Sequence, residues 1–165
     1  MSPFKLGRMQ ASNEQRLDML RLATAGEARF SVSDIEILKS GISYTIDTVR
    51  TFASALPGTK IFFIIGADSL VTLHQWKEAA RLVQTCEFIT LARSGWDAGQ
   101  IAGFDAQTRD RLARGVVHDF NYEVSSTEIR RRVAAGEVVS ELVNPDVWAY
   151  IQKHRLYGVL QAPRI

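Results

Sequence analysis

A doubly wound α/β fold with a mostly parallel sheet is predicted by three features of this sequence. Strand and helix patterns alternate along the chain, two strand patterns are apolar at consecutive positions, and no repeat or linker interrupts the alternation. At 165 residues the chain is long enough for a single domain with its own core.

Taken in order, residues 12–25 predict a helix. Ser12 and Gln15 stand at capping-box spacing, Leu17, Met19, Leu20 and Leu22 supply an apolar face, and Gly26 stops it. Phe30, Val32, Ile35 and Ile37 recur at roughly alternate positions, predicting a strand over 29–37. A second helix is expected over 45–56, with Thr45 as N-cap, Asp47 in the favourable first turn and Pro57-Gly58 ending it. The run KIFFIIG (60–66) reads as a strand buried on both faces, and a helix is expected over 75–84. EFITLAR (87–93) reads as a second buried strand and VVHDFNYEV (116–124) as a third of weaker pattern. Between them, 94–114 is polar and glycine-dotted, a variable surface segment with a short helix over 105–112. Two helices close the chain, 126–135 stopped by Gly136, and 145–154 with Asn144 as N-cap and Pro145 at the first helical position.

Composition narrows the function classes. Hydrophobic residues make up 46% and charged residues 23%, as in a folded globular protein, and a net charge of +2 argues for neither a nucleic-acid nor a membrane surface. No apolar stretch approaches the roughly 20 residues that span a bilayer, and no signal-peptide pattern opens the chain, so a cytoplasmic location is expected. The single cysteine, Cys86, lies in an apolar run and is expected to be a buried, inert thiol.

The stretch VSSTEIRRR (124–132) gathers hydroxyls, a carboxylate and three arginines at an expected helix start. The residues leave two readings open. Ser125 and Glu128 could form a capping box with Arg130, Arg131 and Arg132 as a solvated face. Alternatively Ser126, Thr127 and Arg130, with the exposed N–H groups of the first turn, could hold a phosphate.

KSGISYTIDTVR (39–50), FFIIGADSLVTLHQW (62–76), VSSTEIRRRVAAGE (124–137) and VNPDVWAYIQKHRLYG (143–158), in this order, resemble the bacterial nicotinate-nucleotide adenylyltransferases of the nucleotidyltransferase superfamily, with its Rossmann-like sheet. The resemblance implies transfer of the adenylyl group of ATP to nicotinate mononucleotide, with magnesium bound through the ATP phosphates. It places Ser126, Thr127 and Arg130 on those phosphates, with Arg130 also stabilising charge in the transition state. Gly66 and Asp68 fall just past a strand end, with Asp68 suited to ribose hydroxyls; taken alone, Asp68 also reads as a helix cap. Tyr44 and Thr45 are implied in holding nicotinate and Trp76 in stacking on its ring; taken alone, Trp76 reads as a half-buried helix residue. Arg93 stands where the family has an arginine before a proline-glycine pair, here Ser94-Gly95.

The family's HxGH pair, which binds phosphates, is not in this sequence. His74, His118 and His154 have no second histidine three residues on and read as surface or satisfied histidines. MSPFKLGRMQAS resembles the loop after the family's second strand, with Lys5 in the mononucleotide site and Phe4 in place of a histidine. On that reading about one βαβ unit, roughly 40 residues, would precede Met1. Losing the strands of such a unit would separate 29–37 from 60–66 and bare sheet edges, so self-association is expected. Two other functions stay open: a non-catalytic nucleotide-binding remnant or interaction module, and an adenylyltransferase using nicotinamide mononucleotide.

Overall fold

The computed structural model describes residues 11–39, 41–92, 95–118 and 124–158. The chain divides into two compact units, residues 42–122 and residues 1–41 with 123–165.

Residues 42–122 contain the sheet. Its strands β1 (Phe62–Gly66), β2 (Glu87–Leu91) and β3 (Val116–Val117) run parallel in the order β1-β2-β3. Parallel neighbours need a crossover. Helices α4 (Ala67–Val71) and α5 (Ala79–Thr85) lie between β1 and β2, and α6 (Ala106–Arg114) lies between β2 and β3. Phe63 stands beside Phe88 and Ile65 beside Thr90, so these residues share one face. That face joins Ile46 and Val49 of α3 (Thr45–Ala55), Leu82 and Val83 of α5, and Leu112 of α6 in the unit's core. The opposite face is different: Phe62 is 52% and Ile64 63% exposed.

Cys86 is buried in this core, and burial, with a smaller contribution from Glu87, pushes its thiol up to about 11. A thiol so far from ionisation is a poor nucleophile, as its apolar setting predicts.

In the other unit, α1 (Asn13–Thr24) opens with the expected capping box: Ser12 Oγ accepts from the Gln15 N–H at 3.2 Å, and Gln15 Oε1 accepts from the Ser12 N–H at 2.8 Å. Helix α8 (Pro145–Lys153) starts as predicted, with Asn144 Oδ1 accepting from the N–H groups of Asp146 and Val147. Tyr150 donates to Asp18 at 3.1 Å and ties α8 to α1. Helix α7 (Ser126–Ala134) places Val133 in a cluster with Val139, Ile151 and Leu156.

Several expectations are corrected. Residues 29–37 form no strand; 30–34 are irregular and Ile35–Leu38 make a one-turn helix, α2. Alternating apolar residues make a strand only where a neighbour completes the hydrogen-bond ladder, and among the described residues none does so here. The N-cap of α3 is Tyr44, not Thr45, and no side chain caps it. The helix expected over 75–84 begins at Ala79, because Leu73–Gln75 form a 3-10 turn and Glu78 adopts a left-handed φ of 51° before it. Asp105 caps α6 rather than opening it, its side chain accepting from the Thr108 N–H at 2.7 Å. β2 ends at Leu91 and β3 at Val117; the rest of the strand expected over 116–124 lies largely outside the described residues.

Candidate nucleotide site

In the unit 42–122, a cleft of about 280 Å³ opens where β1 and β2 end, lined by Gly66, Ala67, Asp68, Leu91, Gly95, Trp96 and Gln100. Its floor follows from the sheet register: Gly66 and Leu91 are partners in the last pair of the β1–β2 ladder. Ligands of open α/β sheets bind at this end of the strands. Glycine matters at position 66 because it leaves the strand end without a side chain, and space beyond it is open.

Asp68 lies in the first turn of α4, yet it does not cap that helix. The N-cap is Gly66 and no side chain caps it. Among the described residues Asp68 makes no hydrogen bond or ion pair, so its exposed carboxylate is available to hydroxyl donors.

Trp96 was not singled out by the sequence, which presents 94–114 as a variable surface segment. It is half-buried against the core, and its Nε1 is buried with no partner among the described residues. Its ring lies 6.3 Å from that of exposed His118. The only local signal was an aromatic three positions after Arg93, and a tertiary fold was needed to bring it to the strand ends.

Tyr44, Thr45 and Trp76 do not line this cleft. Tyr44 packs half-buried on the core at the start of α3, and Lys77 Nζ lies 4.3 Å from its ring centroid. Trp76 stands edge-on to Phe63 at 6.2 Å, the half-buried packing expected of it from its residue type alone.

In the other unit, Ser125 caps α7 by accepting from the Glu128 N–H at 3.1 Å. The return bond of a capping box is not formed. The Glu128 carboxylate instead accepts from Arg131 Nε and Nη2 at 2.8 and 2.7 Å, and these bonds hold its carboxyl below the usual carboxylate range. Arg132 pairs with Glu137 at 2.9 Å and Glu141 at 3.6 Å. Arg130 has no carboxylate within 4 Å among the described residues; its Nη2 meets only Thr127 Oγ1, at 3.5 Å. Ser126 and Thr127 are exposed. The capping reading is met at Ser125, though without the return bond from Glu128; Arg131 and Arg132 are tied to glutamates, and Ser126, Thr127 and Arg130 remain open.

Lys5 and Arg93 lie outside the described residues. Of the histidines, His74 Nδ1 contacts the Val71 carbonyl at 3.1 Å and His154 stacks on Tyr150 at 4.1 Å. Among the described residues, no three His, Cys, Asp or Glu side chains converge on a metal position, and no helix is long and apolar enough to cross a membrane.

Comparison with known proteins gives these features a context. Residues 2–132 match the family described as cytidylyltransferase-like. A protein of Neisseria meningitidis serogroup B named probable nicotinate-nucleotide adenylyltransferase is 38% identical over 159 residues, spanning 94% of this chain and 79% of its own length. Proteins of the same name from Chlorobaculum parvum and Herpetosiphon aurantiacus are 38% and 40% identical, over 94% and 89% of this chain and 79% and 74% of their own lengths. The fold is similar to that of the Plasmodium falciparum nicotinic acid mononucleotide adenylyltransferase complexed with NaAD, with a TM-score of 0.70 at 18% identity over 94% of this chain and 79% of that one. The sheet is thus of the nucleotidyltransferase type, and the chain belongs to the cytidylyltransferase-like family, among its nicotinate-nucleotide adenylyltransferases.

Proposed function

We propose that this chain transfers the adenylyl group of ATP to nicotinate mononucleotide, giving deamido-NAD and pyrophosphate as a step in NAD biosynthesis. The observation that supports it most directly is the cleft at the ends of β1 and β2, with an uncommitted Asp68 beside a bare Gly66, in a chain of this family.

The chemistry needs alignment more than covalent help. A phosphate oxygen of the mononucleotide attacks the α-phosphorus of ATP in line, the bond to the β-phosphate oxygen breaks, and pyrophosphate leaves. Asp68 would accept from ribose hydroxyls and Gly66 would let the nucleotide approach the backbone. Ser126, Thr127 and Arg130 would bind the phosphates, Arg130 opposing the charge that builds up as pyrophosphate departs. Tyr44, Thr45 and Trp76, with Lys5 and Arg93, would hold the mononucleotide. The donor set suits magnesium carried on ATP phosphates rather than held in a protein cage, and the ion would supply charge neutralisation there. With this reaction goes a cytoplasmic location, as part of the same proposal.

The 165 residues contain no HxGH pair, and a second reading, nucleotide binding with slow or no turnover, is tested beside the first. Pyrophosphate release from ATP, magnesium and nicotinate mononucleotide separates the two, measured on the 165 residues alone and on the same chain extended upstream in frame. Turnover that appears or rises with the extension supports the transferase. Binding of ATP without turnover in either form leaves the binding module, and Asp68→Ala abolishes neither if the cleft is not the ATP site.

A further inference from the structure

A cation stands in the Tyr44–Trp76 region that no motif assigns. Lys77 follows Trp76 directly, with its Nζ 4.3 Å from the Tyr44 ring centroid and 3.6 Å from Asp47 Oδ2. Tyr44 is the N-cap of α3 and Asp47 lies in that helix's first turn, so a lysine from the approach to α5 reaches across to the start of α3.

The backbone around Lys77 is held from both sides. Glu78 has a left-handed φ of 51°, which a residue with a β-carbon keeps only when its surroundings fix it. Here they do: the Glu78 carboxylate accepts from Arg50 of α3 at 2.8 and 3.3 Å and from Arg81 of α5 at 2.9 Å. On the other side, Trp76 is packed edge-on against Phe63. From this fixed backbone Lys77 reaches both the face of Tyr44 and the carboxylate of Asp47.

We propose that Lys77 sets the preference of this site for a pyridine nucleotide bearing a carboxylate over one bearing an amide. The inference rests on reading Tyr44, Thr45 and Trp76 as the pyridine pocket. Asp47 favours the helix by its place in the first turn, but its negative charge opposes an incoming carboxylate. Lys77, whose ammonium lies over the half-buried Tyr44 ring, offsets that charge, so that the positive end of the helix start faces an incoming carboxylate without the opposing field of Asp47. An uncharged amide gains little from the removal of that repulsion. Selectivity is a difference between two affinities: the pyridinium and phosphate charges common to both nucleotides feel a cation here alike, and only the carboxylate adds a difference.

Equilibrium binding of nicotinate mononucleotide and of nicotinamide mononucleotide tests this, on the parent chain, Lys77→Met, Lys77→Arg and the double variant Lys77→Met/Asp47→Asn. Lys77→Met is expected to weaken the acid about tenfold and the amide less than about twofold. Lys77→Arg keeps the preference, the added Asp47→Asn restores part of the acid's affinity, and raised salt narrows the gap in the parent. Equal weakening of both ligands by Lys77→Met overturns the inference, makes Lys77 a packing residue and leaves the pyridine pocket standing. A parent chain that binds neither ligand overturns the pocket itself, and the inference with it.

Discussion

Arg131 reaches back one turn along α7 and meets both carboxylate oxygens of Glu128, Nε to Oε2 at 2.8 Å and Nη2 to Oε1 at 2.7 Å. This pair, with the hold of Glu137 and Glu141 on Arg132, decides how three consecutive arginines divide their roles. Arg130 is the one left without a carboxylate among the described residues, and it stands beside the Thr127 hydroxyl. A charge-assisted hydrogen bond to phosphate contributes about 1.5–3 kcal/mol, so Arg130→Met is expected to weaken ATP binding about 10- to 100-fold. Arg131→Met is expected to weaken it less than about threefold, because its charge is already committed to Glu128. Calorimetric titration with magnesium and ATP compares them; equal losses would mean that affinity follows net positive charge and not a placed guanidinium.

The same kind of pair makes stability depend on acid. Arg131 holds the Glu128 carboxyl below its ordinary range, and Arg50, then Arg81, do so for Glu78. A carboxyl whose folded pKa lies below its unfolded one stabilises the fold fully above the unfolded value, near 4.3, and that contribution is lost as pH falls through the folded pKa. The melting temperature is expected to stay level from about pH 7 to 5.5 and to drop below about pH 4.5. The Glu128–Arg131 pair is exposed and the Glu78–Arg50 pair only half-buried, so added salt should shrink the drop. Melting curves of the Glu78→Gln/Glu128→Gln double variant should show a shallower decline; an unchanged slope would assign it to other carboxylates.

Gly115 controls the join between β2 and β3. A β-carbon there would lie 2.0 Å from the Phe88 carbonyl oxygen, a backbone atom of β2 that no rotamer change can move. The Gly115 carbonyl also accepts from the Thr90 N–H at 2.9 Å, so relief of the clash would break the ladder. Gly115→Ala is expected to cost about 3 kcal/mol in denaturant unfolding. At Gly26 nothing lies within 4 Å of an added β-carbon, and Gly26→Ala is expected to change stability by less than about 0.5 kcal/mol. A mild Gly115→Ala would mean that β3 can leave the sheet at little cost.

What the sequence made legible was local. Ser12 with Gln15 and Asn144 with Pro145 fix helix starts within four residues, and both helices begin where those residues place them. FFIIG and EFITL read as strands because apolar residues follow one another in each rather than recurring at helical spacing, and each found a parallel neighbour. Residues 29–37 failed for the complementary reason: alternation is a local property, whereas a strand is a relation to another segment. The site divides the same way. Asp68 was legible from its place after a strand. Trp96 and the left-handed Glu78 were not, since one owes its role to a loop folding over the strand ends and the other to two arginines from different helices.

β1 has a single neighbour among the described residues, and Phe62 and Ile64 on its outer face are 52% and 63% exposed. An uncharged strand with free backbone groups along one edge invites another strand, and natural sheets guard such edges with lysine or proline. Here the strand itself carries no charge, and the one lysine close to it in sequence, Lys60, stands two positions before its start and 3.9 Å from Glu87. We therefore expect the isolated chain to self-associate in sedimentation velocity at micromolar concentration. Ile64→Lys places a charge on the exposed face and is expected to raise the monomer fraction several-fold, roughly in the range that about 1–2 kcal/mol produces. Val138→Lys serves as the control, because Val138 is 62% exposed but lies outside the sheet. If the two lysines act equally, added net charge is the cause; if the parent is already a monodisperse monomer that melts cooperatively, the β1 edge is not sticky and the expectation fails.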